Sequence, residues 1–206
     1  KEVAGDFFDF FFVTPDKLGL VIGDVSGKGV PAALFMFMCR ALIRVYGMEQ
    51  EGPARTLFKT NRMLAADNDT SMFVSVIYAE YDLRKGELVI ANGGHNPPLL
   101  CREGASVLLD NPPDTLLGPF SDSEYSEWRT AMAAGELMVL YTDGVTEAQT
   151  QAGGFYGEKR LRQWGDRQRD RSPEAVCNSL FHDVEEFSQG AAQFDDRAHF
   201  FAYAAS

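Results

Sequence analysis

Two apolar runs open the chain, FFDFFFV and LGLVIGD, and the link between them is TPDK. Aromatic and β-branched runs on either side of a Pro-Asp turn predict an antiparallel hairpin. From Pro31 to Tyr46 the apolar positions run nearly all round a helix, with Arg40 and Arg44 one turn apart. That pattern predicts a largely buried helix, with Pro31 at its first position and Gly47 as its stop. Residues 53–66, PARTLFKTNRMLAA, predict a second and more amphipathic helix. A β-rich middle follows. MFVSVIYAEYDL and ELVIANGG are joined by RKG, PPLLCRE and SVLLD flank GA, and SEWRTAMAA leads through a glycine to ELMVLYTDG. The last third predicts helices over 157–169 and 173–188, the second with Ser172 as N-cap, and a final strand over 197–204. Strand pair, helix pair, strand run, helix pair, strand is not βαβ alternation. The fold class it implies is α+β, an antiparallel β-sandwich with helices packed outside, as one domain over 1–206.

Composition narrows the partners. Lys plus Arg is 19 against 30 for Asp plus Glu, a net charge of −11, which argues against nucleic acid or an anionic membrane as the main partner. No window reaches the roughly 18 uncharged apolar residues of a membrane span, and no basic-then-apolar leader opens the sequence. Cys39, Cys101 and Cys177 are scattered and odd in number. They make neither a disulfide framework nor a zinc pattern, so the expected setting is a reducing cytoplasm and their expected role is packing. Because the first residues already read as a strand, the chain is expected to be a piece of a longer protein.

The candidate chemistry starts at Asp24. LGLVIGDVSGKGVPAALFM places a glycine-spaced turn, the kind that cradles phosphate, around a carboxylate that should repel phosphate. The spacing fits neither a P-loop nor a nucleophile elbow, since Gly23 and Gly27 enclose three residues and Asp24 stands two before Ser26. GKGVPA does fit a dinucleotide fingerprint, but the strand before it arrives from a hairpin and Asp24 would repel pyrophosphate. Acidic sites recur at predicted strand ends: Asp6 and Asp9, Asp24, Asp143, and Asp195 with Asp196. Each alone reads as a turn residue. Gathered together they would repel, at about 4 kcal/mol per pair about 4 Å apart at an effective dielectric near 20. Against the ~5–15 kcal/mol stability of a domain, they are therefore either dispersed or neutralised by cations. All-oxygen ligands select hard ions such as Mg²⁺ or Mn²⁺, and such ions would turn an acidic turn into a phosphate site. Residues three apart on a strand face opposite sides, so Asp6 and Asp9 cannot both face one site without a bulge, and Asp6 is favoured.

GDFFDF, GDVSGKGVPAALFM, FVSVIYAEYD, ANGGHNPPLL, LMVLYTDGVTEA and FDDRAHF, in this order and over nearly the whole chain, resemble the SpoIIE-like (RsbU-type) serine/threonine phosphatases of the metal-dependent PPM family. The resemblance implies a central β-sandwich between helical layers and two divalent cations, Mn²⁺ or Mg²⁺. It implies that Asp24 bridges the cations, with the Val25 carbonyl, Asp143 and Asp195 as further ligands. Asp6 would sit nearby, Asp196 would stand behind the ligands or at a weaker site, and Gly23, Gly27 and Gly29 would shape the turn, with Asp9 in support. Ser26 stands where eukaryotic relatives carry a histidine. The implied activity is hydrolysis of a phosphoserine or phosphothreonine by metal-activated water. The implied substrate is a phosphorylated STAS-type anti-anti-sigma protein, with an upstream sensor or receiver domain in the full-length protein and a homodimer left open.

Two residues near the turns keep two readings each. Lys28 is a substrate contact or a solvated turn lysine. His95 of GGHNPP is a substrate or loop contact, or a turn histidine satisfied by backbone. A silent phosphatase-like adaptor that binds a regulatory partner is the alternative to an enzyme, and it should have lost acids that this chain keeps.

Overall fold

Local pattern and observed elements agree closely over residues 5–25. β1 (Phe7–Thr14) and β2 (Lys17–Val25) pair antiparallel, from Phe7 opposite Gly23 to Thr14 opposite Lys17. Burial alternates along β1: Phe7, Asp9, Phe11 and Val13 are covered, and Phe8, Phe10 and Phe12 are exposed. The computed structural model describes residues 5–66, 68–102, 105–109, 112–168, 172–188 and 200–204, the last as backbone alone.

The helices α1 (Val30–Gly47) and α2 (Pro53–Ala66) come next, then the hairpin of β3 (Val74–Asp82) and β4 (Glu87–Gly93). Gly86 turns that hairpin at φ 63°, a conformation glycine adopts without strain. β5 (Leu99–Arg102) pairs with β6 (Ala105–Leu108), and β7 (Trp128–Ala131) and β8 (Leu137–Tyr141) follow. The short α3 (Asp143–Thr146), then α4 (Gly157–Gly165), α5 (Pro173–Phe187) and β9 (Phe200–Ala204) complete the chain. Ser172 caps α5 as expected, its Oγ accepting from the Ala175 N–H at 3.3 Å.

The chain divides into two compact units. The first, Lys1–His95 with Asn111–Met132, holds the sheet β1-β2-β3-β4-β7. Val21, Val76, Tyr78 and Ala91 line one face of that sheet and pack against Phe35, Cys39 and Ile43 of α1 and Leu57 and Leu64 of α2. The second unit, Asn96–Asp110 with Ala133–Ser206, holds the sheet β6-β5-β8-β9. Its core joins Leu99, Val139 and Tyr141 to Val145, Leu161, Trp164, Val176 and Leu180 of the helices. Every ladder between the described strands is antiparallel. β2 therefore lies between two antiparallel neighbours, and GKGVPA does not open the parallel crossover that a dinucleotide fingerprint requires. β7 and β8, adjacent in sequence, belong to different sheets rather than to one hairpin.

Three expectations change. α1 is not largely buried: Ala32, Phe35, Cys39, Ile43 and Gly47 face the sheet, whereas Val30, Leu34, Phe37, Met38 and Val45 are exposed. One side of one sheet can cover only one stripe of a helix, so an all-round apolar sequence leaves the other stripe in solvent. At 18 residues and mean hydropathy 1.4, α1 is long and apolar enough to cross a membrane by length and composition. Its sheet-facing stripe and its ion-paired arginines identify it instead as the cover of the first sheet. Nor does Gly47 stop the helix. It is the last helical residue and lies tight against the sheet, where a Cβ would meet the Tyr78 hydroxyl at 2.6 Å. Finally, α4 ends at Gly165 rather than 169, where a Cβ would meet Ser106 Oγ at 2.6 Å and the next residue, Asp166, accepts from the Ser106 N–H.

Cys39 and Cys101 are buried. Burial pushes the Cys39 thiol far above its ordinary range and Cys101 up to about 11, as expected of packing residues rather than nucleophiles.

Candidate metal centre

β2 delivers Asp24 and Val25 to one end of the first sheet, and the start of β1 returns beside them. The Val25 N–H donates to the Gly5 carbonyl at 3.4 Å. A Cβ added to Gly5 would lie 2.4 Å from the Val25 carbonyl oxygen and 3.2 Å from Asp24 Oδ1. Only glycine leaves room for this approach, so Gly5 holds the Asp6 backbone against the Asp24–Val25 corner. Gly23 is the second close approach: a Cβ there would meet the Phe7 ring and the Ser75 carbonyl, both at 2.8 Å. After Val25 the chain is clamped to the start of β3 by a reciprocal pair. The Ser26 N–H donates to the Phe73 carbonyl at 2.8 Å, and the Phe73 N–H donates to Ser26 Oγ at 2.9 Å. Gly27 and Gly29 then take φ of 85° and 80° and turn the chain into α1, whose ladder begins with the Ala33 N–H on the Gly29 carbonyl. The N-terminus of α1 thus follows directly on the acidic turn, where its dipole favours anions.

Asp9 does something else. Strand alternation puts it on the helix side with Phe7 and Phe11, where Arg44 grips it with Nη2 at 2.7 Å and Nε at 3.0 Å, and Arg40 Nε approaches to 3.2 Å. Burial pushes the Asp9 carboxyl upward, but hydrogen bonds and charge from Arg44 and Arg40 outweigh it and hold the group below its ordinary value. Its expected support of the metal turn is therefore replaced by an anchor between β1 and α1.

In the second unit, the buried strand β8 ends at Tyr141, the fully buried Thr142 follows as the N-cap of α3, and Asp143 is the exposed first residue of that helix. The Val145 N–H donates to the Thr142 carbonyl and the Glu147 N–H to the Asp143 carbonyl, so Asp143 has a fixed backbone at the end of an interior strand. Asp195, Asp196 and His199 lie outside the described residues. Among the described residues, no group of three His, Cys, Asp or Glu side chains gathers closely enough to hold an ion. What the first unit does bring together is an all-oxygen set: the Val25 carbonyl and Asp24 around Gly5, with Asp6 next in the chain. Those donors suit a hard divalent cation. Lys28 is exposed in the turn.

His95 is 5% exposed, and its Nδ1 lies 2.7 Å from Ser75 Oγ. Asn92 holds its backbone from both sides, accepting from the His95 N–H at 2.8 Å and donating to the His95 carbonyl at 2.9 Å. The sequence suggested a backbone-satisfied turn histidine or a contact to substrate or a neighbouring loop. The structure shows the ring buried against the Ser75 hydroxyl.

The family model for Stage II sporulation protein E (SpoIIE) matches residues 14–203. The chain belongs to the SpoIIE family. Phosphoserine phosphatase RsbU of Bacillus subtilis (strain 168) is 30% identical over 154 residues, covering 74% of this chain and 46% of RsbU. The chain spans less than half the length of the curated relatives it matches. Among solved structures, the SiaA-PP2C domain of Pseudomonas aeruginosa superposes with a TM-score of 0.84 at 22% identity, over 98% of this chain and 81% of that one. RsbX, solved in complex with magnesium, superposes at 0.70 and 14% identity over 97% of this chain and 87% of that one. These likenesses establish the PP2C-type α+β fold for this member of the SpoIIE family.

Proposed function

We propose that residues 1–206 act as one metal-dependent serine/threonine phosphatase domain. The observation that carries the reading is the close approach of Gly5, the residue before Asp6, to Asp24 and the Val25 carbonyl, an oxygen corner that a single methyl group would close. Membership of a family that includes a phosphoserine phosphatase supports it, and the magnesium in the RsbX structure supports the choice of a hard divalent cation.

In this reading Asp24, the Val25 carbonyl, Asp143 and Asp195 hold two divalent cations, Mn²⁺ or Mg²⁺, with Asp6 and Asp196 as further candidates. When bound, the cations supply Lewis-acid activation of water and charge neutralisation at the phosphoryl group. The chain itself does the rest. Gly27 and Gly29 keep the turn open toward the phosphate, and the α1 N-terminus and Lys28 favour its negative charge. Water attacks phosphorus, the P–O bond to the seryl or threonyl oxygen breaks, and that oxygen leaves with a proton, giving a free hydroxyl and inorganic phosphate. No cysteine or serine nucleophile takes part.

The substrate we assign is a phosphorylated STAS-type anti-anti-sigma protein in the cytoplasm. Control by an upstream sensor or receiver domain is in keeping with relatives more than twice as long as the matched segment. Phosphate release from a purified phospho-STAS protein, with and without Mn²⁺, tests the reading. Release that requires Mn²⁺ and disappears in Asp143→Ala supports it. Mn²⁺ binding without any release would favour the adaptor, and release unchanged by the substitution would contradict the site.

A further inference from the structure

Asp24 is paired across the β2–β3 ladder with Ser75. Directly opposed residues point to the same face, with Cβ atoms about 4.5–5.5 Å apart. That face is the one turned away from α1 and α2, since the alternate positions Val21, Val25, Val74 and Val76 join the helix-side core. Ser75 Oγ meets His95 Nδ1 at 2.7 Å. The imidazole has little freedom: it is buried, Asn92 clamps its backbone, and Gly94 before it turns at φ 77°, where a Cβ would run into Leu116 at 2.5 Å. Asn92 sits opposite Ile77, two residues along from Ser75 on the same strand face. Three strands thus contribute to one polar row that ends at Asp24.

We propose that Ser75 and His95 are positioning residues for Asp24. His95 Nδ1–H donates to Ser75 Oγ, and Ser75 passes its one proton as a hydrogen bond to the Asp24 carboxylate, fixing the rotamer from which Asp24 meets a cation. The direction follows from the groups. A hydroxyl has one proton to give, and an ionised carboxylate can only accept. A serine beside Asp24 donates there only if its other partner donates to it. Such bonds to ligand carboxylates and their supports are worth about 10- to 100-fold in metal affinity. The proposal rests on the reading of the Asp24 corner as a cation site and adds residues that the acidic motifs do not contain.

The test is a calorimetric Mn²⁺ titration of the purified chain and of Ser75→Ala, His95→Ala, His95→Asn and the Ser75→Ala/His95→Ala double variant, with thermal unfolding in EDTA alongside. ¹⁵N NMR of the histidine ring in the metal-free protein is run in parallel. Ser75→Ala and His95→Ala should each weaken Mn²⁺ binding roughly tenfold or more. The double variant should be no weaker than the worse single one, because both remove the same chain of bonds. His95→Asn, which restores an N–H donor, should recover much of the loss, and NMR should find the proton on Nδ1. Ser75→Ala removes one oxygen only, so it decides the matter even if His95→Ala fails to fold in EDTA. Unchanged affinity in Ser75→Ala, additive losses, or an unprotonated Nδ1 would overturn the positioning role while leaving the cation site in place. Absence of Mn²⁺ binding by the unsubstituted chain would overturn the site reading and this proposal with it.

Discussion

Asp6 and Asp9 stand three residues apart, Asp6 just before β1 and Asp9 within it, and they belong to two different regions. Asp9 lies on the helix side of the first sheet, where Arg40 and Arg44 of α1 compensate its burial. Asp6 lies at the sheet's end, next in the chain to Gly5, whose backbone closely approaches Asp24 and the Val25 carbonyl. In the first region a fixed cation from the chain neutralises the acid, and the result is an anchor. In the second, acidic and carbonyl oxygens gather around a glycine, the arrangement suited to a cation from solution. The same residue type meets two different surroundings within three residues of chain, and what the fold sets beside each acid decides whether its charge is already neutralised.

Substitutions can separate the two regions. The largest effect is expected for Asp24→Asn, which should lower Mn²⁺-dependent phosphate release by roughly 10³-fold or more, since it removes an interaction needed at the reacting centre. Its unfolding free energy should change little, and steady-state assays beside urea melts check both halves. Ile43→Ala, in the buried stripe of α1, should cost about 2–4 kcal/mol by leaving a cavity, measured by urea unfolding.

Asp9→Asn should cost about 1–2 kcal/mol, discounted because both arginines are nearly half exposed. It should also change the acid limb of stability. The folded Asp9 carboxyl titrates below its unfolded value of about 3.9. Its contribution is therefore complete above that value and is lost as pH falls through the lower folded value. Urea melts between pH 7 and 2.5 should show a flatter acid limb for Asp9→Asn than for the unsubstituted chain. The smallest effect is expected for Leu34→Gln on the exposed stripe of α1, within about 0.5 kcal/mol. A loss comparable to that of Ile43→Ala would restore the buried-helix expectation.

Much of this contrast could be read from the residues. The hairpin, the antiparallel sheets and the alternation along β1 that puts Asp9 on the helix side are local patterns, and the local pattern held. Arg40 and Arg44, one turn apart on an otherwise apolar helix, were the available signal for the Asp9 anchor. Their partner sits 31 and 35 residues away, and periodicity carries no information across that gap. The exposure of Leu34 and Phe37 was hidden for a different reason: an apolar composition does not say how many sides of a helix the fold can cover. Sheet membership of β7 and β8, and the Ser75–His95 contact, depend on register between distant segments. α3, four residues long, is too short to show a helical period. Asp195 and Asp196 fall outside the described residues, so that part of the expected ligand set rests on the motif.

The most direct measurement is a calorimetric Mn²⁺ titration of the chain beside its Asp24→Asn variant, both shown to be folded by their thermal transitions. The account predicts saturable heat for the unsubstituted chain and an affinity at least 100-fold weaker, on the order of 3 kcal/mol, for the variant. Equal binding by the two proteins, or no binding by either at millimolar Mn²⁺, would contradict it.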